Sequence, residues 1–160
     1  MKSYFILDCT KQQKIADSLY GYYTGITANR ELKEFWNHLT RGEIQDYFSI
    51  PNNPTKAWFD ELGLKVRDMS FTIYNENIST DIHRDEPPVI AKINFPVLNT
   101  KDTYNVWYDD YANEIDRVEC DRPIVLRSDI LHTVEIGETA CYPRLQFSFC
   151  LYDEPLHLLK

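Results

Sequence analysis

The sequence predicts an α+β fold that is mainly β: an antiparallel sandwich or barrel with N-terminal helices packed on its outside. Three observations support this prediction. The apolar spacing changes near Leu64, from helical periods before it to short alternating segments after it. The chain has 11 Tyr and 8 Phe against 5 Gly, a bias that favours half-buried strands. In the second half, turn-forming residues separate many short segments, as in sandwiches and barrels.

The first half of the chain carries mainly helical signals. Thr10 is a candidate N-cap for the first long helix, and Gly63 ends the last helix of this half. The second helix is predicted from four apolar residues at helical spacing, which place one stripe on one face. The predicted elements are a short strand at 4–7 and helices at 11–23, 31–39 (with Leu32, Phe35, Trp36 and Leu39 on the stripe), 41–48 and 55–62.

The second half reads as a series of short strands at close, regular spacing. Asn-, Pro-, Asp- and Gly-rich turn signals lie between them, as expected for antiparallel connections. The predicted strands cover 65–74, 89–97, 105–108, 117–119, 124–126, 133–136 and 144–151.

The length of 160 residues predicts a single domain over 1–160. Within it, residues 1–63 form a mainly helical support, and residues 64–153 form the β core that carries the candidate site. The four cysteines lack the close spacing of a metal cluster, and a chain of this size does not depend on disulfides, so free thiols are predicted.

Charge and hydropathy narrow the range of partners. The net charge of -8 and the pI near 4.9 argue against a nucleic-acid partner, which requires a basic surface, and against an anionic membrane surface. No apolar run reaches membrane-spanning length, and the apolar run near the N-terminus is too short for a signal peptide. A cytoplasmic protein is therefore predicted, and the sequence leaves its oligomeric state open.

The strongest chemical signal is the set His83, Asp85, His132 and Arg144. In an extended segment, side chains two residues apart point to the same face, so His83 and Asp85 share one space. Two His and one carboxylate form a facial metal triad with open positions, which suits non-heme Fe(II) and O2 chemistry. Arg144 adds a planar cation able to clamp a carboxylate cosubstrate. The spacing alone is a weak signal, and the position of each residue at a strand boundary strengthens it.

These residues resemble the Fe(II)- and 2-oxoglutarate-dependent oxygenases, whose pattern is His-x-Asp, a distal His and an Arg on the following strand. The segment 130–134 (Ile-Leu-His-Thr-Val) resembles the stretch around the distal His, and 144–149 resembles the final strand. Residues 91–99 and 104–108 are similar to small bacterial and phage-type members. The resemblance covers roughly residues 71–151 and implies a double-stranded β-helix, a jelly-roll or cupin-like barrel.

The resemblance also implies roles for individual residues. His83, Asp85 and His132 would hold Fe(II), and Arg144 would bind the distal carboxylate of 2-oxoglutarate. Tyr74 would touch the same carboxylate, with a plain aromatic core position as the alternative. Ser148 and Asn94 are the remaining candidates for contacts with cosubstrate or substrate. The alternative for each is a solvent-facing position on its strand.

The implied reaction consumes O2 and 2-oxoglutarate, releases succinate and CO2, and hydroxylates a small molecule, an amino acid or a peptide-like protein side chain. The nucleic-acid demethylases of this family carry a second Arg six residues after the first, where this chain has Cys150. Two alternatives stay open: a cupin-like metal-dependent enzyme that does not use 2-oxoglutarate, and a β-barrel binding module without catalysis.

Overall fold

The structure is a computed structural model that describes residues 1–32, 35–78 and 80–160. In this part of the chain, three helices and two short strands precede a run of seven strands. The helices are α1 (Gln12–Thr27), α2 (Arg41–Phe48) and α3 (Pro54–Leu62), with a final 3-10 turn at Leu156–Leu159. The strands are β1 (Tyr4–Ile6), β2 (Trp36–His38), β3 (Val66–Tyr74), β4 (Ala91–Leu98), β5 (Thr103–Tyr108), β6 (Glu114–Glu119), β7 (Ile124–Arg127), β8 (His132–Ile136) and β9 (Arg144–Leu151).

Local signals in the sequence explain where the helices begin and end. Thr40 and Glu43 form a capping box at the start of α2, because each side chain accepts from the other residue's backbone N–H. Asn53 caps α3, and Gly63 ends it in the left-handed conformation at φ 67°. The predicted cap of α1 is wrong: its N-cap residue is Lys11, whose side chain makes no capping bond.

The strands form two antiparallel sheets. The large sheet has the order β1-β7-β4-β9-β3-β2, and the small sheet has the order β6-β5-β8. An isolated antiparallel bridge between His83 and His132 adds one more segment to the edge of the small sheet. The sheets face each other, since Arg144 on β9 reaches Thr103 on β5 and Trp107 on β5 packs in a cluster with Leu126 on β7.

Strand β9 is buried on both faces. Leu145, Phe147, Phe149 and Leu151 belong to the main apolar core, which the helices cover. The alternate residues Arg144, Gln146 and Ser148 are also buried, but they face the small sheet. The inner face of the large sheet is therefore polar, and this polar face carries the candidate site.

Two fold predictions need correction. The predicted helix over 31–39 is wrong where the structure describes it, because Trp36–His38 is an edge strand paired with residues 70–72 of β3; residues 33–34 lie outside the described residues. A closed barrel is also not formed, since no strand ladder joins the two described sheets. The α+β layout with helices outside is correct, and the predicted bounds of α2 and β9 match those in the structure.

No helix in the described part of the chain is both long enough and apolar enough to cross a membrane.

Candidate active site

The structure brings His83, Asp85 and His132 together at one end of the small sheet. One ligand atom from each lies within 4.8 Å of the other two. The Asp85 Oδ1 atom is 3.5 Å from His83 Nε2 and 3.6 Å from His132 Nε2. The three atoms are thus close enough together to bind one metal ion.

Backbone hydrogen bonds hold the two halves of this triad in register. His83 and His132 exchange both backbone bonds, at 3.0 and 2.9 Å. The backbone N–H of Asp85 donates to the Ser128 carbonyl at 2.8 Å. The His-x-Asp segment is therefore fixed as an extra short strand beside β8, which explains how residues so distant in sequence meet.

Hydrogen bonds at Nδ1 orient both imidazole rings. His83 Nδ1 lies 2.9 Å from the Asp81 carbonyl, and His132 Nδ1 lies 2.8 Å from the Ile130 carbonyl. A carbonyl can only accept, so Nδ1 carries the proton in each neutral ring and Nε2 presents a free lone pair. Metal-binding histidines are commonly oriented in this way.

Asp85 is charged in the folded protein. Burial raises the pKa of Asp85, but its contacts with His132, His83 and Lys92 outweigh burial and hold the pKa well below the usual range of a carboxylate. The bond to Asp85 in turn raises the pKa of His83 although burial opposes the rise. A cation bound here would compete with a proton for the Nε2 atom of His83, so its binding would weaken as the pH falls.

Arg144 is the most unusual buried group of the site. Its side chain is 1% exposed, and its guanidinium donates from Nε to the Thr103 hydroxyl at 3.2 Å and from Nη2 to the Gln146 side-chain oxygen at 3.0 Å. Nη1 has no partner, and no carboxylate of the described residues pairs with this cation. A buried, uncompensated guanidinium is costly, so the arrangement suits an anionic ligand.

Tyr74 lies beside Arg144, as its place on the neighbouring strand predicts. The two residues are register partners of β3 and β9, and the guanidinium carbon is 5.4 Å from the centre of the Tyr74 ring. Burial raises the pKa of the Tyr74 phenol, and the positive charge of Arg144 opposes the rise. Tyr74 thus lies directly beside the guanidinium of Arg144.

Ser148 and Asn94 are both buried on the inner face of the large sheet. The Ser148 hydroxyl donates to the Asn94 side-chain oxygen at 2.7 Å. The solvent-facing alternative for these two residues is wrong, because Asn94 and Ser148 are only 5% and 8% exposed. They are register partners of β4 and β9, so each satisfies the other's side chain.

Sequence reasoning missed three contacts of the site. Lys92 donates to Asp85 Oδ2 at 2.6 Å, and Thr103 and Gln146 hold the guanidinium of Arg144. The strand alternation could have indicated Lys92 and Gln146, since each shares the face of a candidate two residues away on its own strand. Thr103 has no such signal, because its contact depends on how the sheets face each other.

The residues present therefore fit a divalent metal with an anionic cosubstrate. The donor set of two imidazole nitrogens and one carboxylate suits Fe(II) and related ions, and the unpaired Nη1 of Arg144 suits a carboxylate.

Comparison of sequences finds no matching protein-family model and no matching curated protein. Comparison of structures finds clear likenesses. A prolyl-4-hydroxylase from Pseudomonas putida matches with a TM-score of 0.59 at 13% identity, over 94% of this chain and 92% of that one. A viral collagen prolyl hydroxylase from Paramecium bursaria Chlorella virus 1 matches with a TM-score of 0.55 at 10% identity, over 94% of this chain and 90% of that one. The chain therefore has the fold of these prolyl hydroxylases.

Proposed function

We propose that the chain is an Fe(II)- and 2-oxoglutarate-dependent oxygenase. The observation that carries the proposal is the buried cation of Arg144, which no acidic side chain of the described residues neutralises and which shares an inter-sheet space with a His-Asp-His triad. A metal triad alone fits many reactions. A triad together with a carboxylate-binding arginine fits a keto acid with two carboxylates. Such a ligand would bind the metal at one end and the arginine at the other.

Strand β5 links the two parts of this site. Thr103, at one end of β5, accepts from Arg144, and Trp107, near the other end, is the register partner of His132. The four-residue step between them spans about 13 Å of strand. We propose that a short dicarboxylate would bridge the two ends, with one acid group at Arg144 and the other at the metal.

Each residue then has a defined task. His83, Asp85 and His132 would hold the metal on one face and leave three of its six positions open. When bound, the iron supplies the oxidising chemistry with O2, coupled to conversion of 2-oxoglutarate into succinate and CO2. Arg144 would bind the distal carboxylate, with Thr103 and Gln146 fixing the plane of the guanidinium before the ligand arrives.

The molecule that is oxidised is proposed to be small or peptide-like rather than a nucleic acid. Two proteins of the same fold are prolyl hydroxylases by name, so a proline-containing peptide is the first substrate class to test. Free amino acids and other small metabolites are the second. Hydroxylation of a carbon atom is the expected outcome in either case.

The test is uncoupled turnover. Purified protein is incubated with Fe(II), ascorbate and 2-oxoglutarate, and succinate is measured. We expect succinate from the wild type, none from His83→Ala or His132→Ala, and wild-type amounts from His38→Ala and His157→Ala, which change the two exposed histidines outside the triad.

Other outcomes would favour the alternatives. Metal binding without affinity for 2-oxoglutarate would favour a cupin-like metal enzyme. Absence of metal binding would favour a non-catalytic module. Full succinate production by His83→Ala would contradict the metal assignment.

A further inference from the structure

The geometry points to Lys92 as a positioning residue that limits Asp85 to one metal-facing oxygen. The Lys92 ammonium lies 2.6 Å from Asp85 Oδ2, and the two side chains are 20% and 21% exposed. The contact is therefore a short, charge-assisted hydrogen bond in a largely enclosed place. This inference rests on the proposed function, because it concerns how the triad would hold its metal.

The two oxygens of Asp85 have separate surroundings. Oδ1 faces the Nε2 atoms of His83 and His132, at 3.5 and 3.6 Å. Oδ2 is directed to Lys92. A carboxylate with a free second oxygen can rotate and offer both oxygens to a metal, whereas an ammonium on Oδ2 opposes this second bond.

The backbone fixes both partners of this bond. Lys92 lies within β4, where it is the register partner of Leu126 of β7. Asp85 is held by the bond from its N–H to the Ser128 carbonyl, just past the end of β7. Because β4 and β7 are neighbouring strands of the large sheet, the ammonium and the carboxylate meet without a large rearrangement.

The consequence concerns the number of open metal positions. Two imidazoles and one carboxylate oxygen occupy three of six positions. A second carboxylate oxygen would occupy a fourth, and too few positions would then be left for a two-oxygen keto acid and O2. Lys92 would thus preserve the open coordination that the proposed reaction needs.

Metal affinity alone cannot test this role. Loss of Lys92 removes a positive charge beside the metal, which favours metal binding, and also removes an orienting bond, which disfavours it. The number of water molecules on the bound metal reports the orienting bond separately from the charge of Lys92. Mn(II) is a suitable probe, because water-proton relaxation reports the waters that it carries.

The experiment compares Mn(II)-loaded wild type with Lys92→Met, Lys92→Arg and a surface control, Lys56→Met, which breaks the exposed 2.8 Å pair with Asp60. We expect about three exchanging waters on the metal in wild type, Lys92→Arg and Lys56→Met. For Lys92→Met we expect a relaxation enhancement about one-third lower, as one water is lost to the second oxygen.

An equal water number in Lys92→Met and wild type would overturn the inference, as would a lowered number already present in wild type. Circular dichroism shows that each variant is folded, and Lys92→Ala, which also removes the ammonium, replaces the Met variant if that variant does not fold. A wild type that binds no Mn(II) would instead overturn the proposed function itself.

Discussion

At the residue scale, the central feature is a positive charge kept out of water without a negative partner among the described residues. Arg144 is buried and uses two of its nitrogens on neutral acceptors, Thr103 and Gln146. Such a group lowers stability unless a ligand neutralises it. Sites of this kind are retained for binding, and the planar fork of the guanidinium selects a carboxylate.

Arg144→Lys should raise the KM for 2-oxoglutarate by about tenfold or more, because an ammonium cannot reproduce two parallel hydrogen bonds to a carboxylate. The maximal rate of succinate formation should change much less. Steady-state kinetics measures both values. Arg122→Lys, whose side chain is 56% exposed, is the matched control and should leave the KM unchanged. An unchanged KM in Arg144→Lys would remove Arg144 from the cosubstrate site.

The sequence was sufficient to find the three candidate metal ligands, but not the residues that orient them. His83, Asp85 and His132 were recognisable from spacing and from strand boundaries. Lys92 was missed although it shares a strand face with Asn94, since a lysine on a strand usually faces water. It faces inward here because β4 lies in the middle of a sheet whose inner face is polar.

At the element scale, the connection between β8 and β9 depends on Asp102. Asp102 accepts from the backbone N–H and the hydroxyl of Thr139, at 2.9 and 2.6 Å, and its own carbonyl accepts from the N–H of Gly137 at 2.8 Å. A Cβ atom on Gly137 would lie 2.2 Å from the Asp102 carboxylate. The turn that leads into Arg144 therefore requires glycine.

Gly137→Ala should lower the free energy of unfolding by about 1–3 kcal/mol, since Asp102 must release Thr139. Gly21→Ala is the matched control. It lies inside α1 with no heavy atom within 4 Å of the added methyl group, so it should be neutral or stabilise by about 0.5–1 kcal/mol. Urea denaturation measures both changes. An equal effect of the two substitutions would contradict this account of the turn.

A pH-dependent contribution to stability comes from Glu43 at the start of α2. Burial raises the pKa of Glu43, but the Thr40 cap and the ion pair with Arg30 outweigh it and lower the pKa. The folded-state pKa is thus below the unfolded one. The stabilisation from Glu43 is present at pH values above its pKa in the unfolded chain. It is lost as the pH falls through its pKa in the folded protein.

Glu43→Gln keeps a capping side chain but removes the charge. Its Tm should be below that of wild type at pH 7, and the difference should shrink as the pH falls toward 3. Thermal unfolding over this pH range measures the effect. A difference that grows on acidification would show that the sign is wrong.

The wrongly predicted helix over 31–39 shows why local spacing fails at some elements. Four apolar residues there lie at helical spacing, but Phe35 and Trp36 are 44% and 46% exposed and do not form a buried stripe. The segment 36–38 instead supplies an edge strand to β3. Sheet pairing with a distant segment outweighed the local pattern, and a single sequence does not contain that pairing.

At the scale of the whole molecule, the helices and the β half share one core. Phe59 of α3 is 3% exposed and packs on Phe149 of β9, with ring centres 4.9 Å apart. Apart from β2, which was predicted as a helix, the order of helices and strands was predictable from composition and spacing. The assignment of strands to two sheets was not, because β3 pairs with β9 from the other end of the β half.

Phe59→Ala should destabilise the protein by about 3–5 kcal/mol by leaving a cavity between α3 and β9. Because the core is shared, helical circular dichroism and tryptophan fluorescence should report one common transition. Tyr111→Ala, at a residue that is 87% exposed, should change stability by no more than about 0.5 kcal/mol. Separate transitions would contradict the prediction that residues 1–160 form one domain.

The account as a whole depends on one pocket that holds a metal at the triad and a dicarboxylate at Arg144. The most direct measurement is calorimetric titration of 2-oxoglutarate into the protein with and without Mn(II). We predict that Mn(II) strengthens the binding of 2-oxoglutarate by at least about tenfold, because the metal contributes its own bonds to the keto acid. Equal affinity with and without the metal, or no binding in either case, would contradict the account.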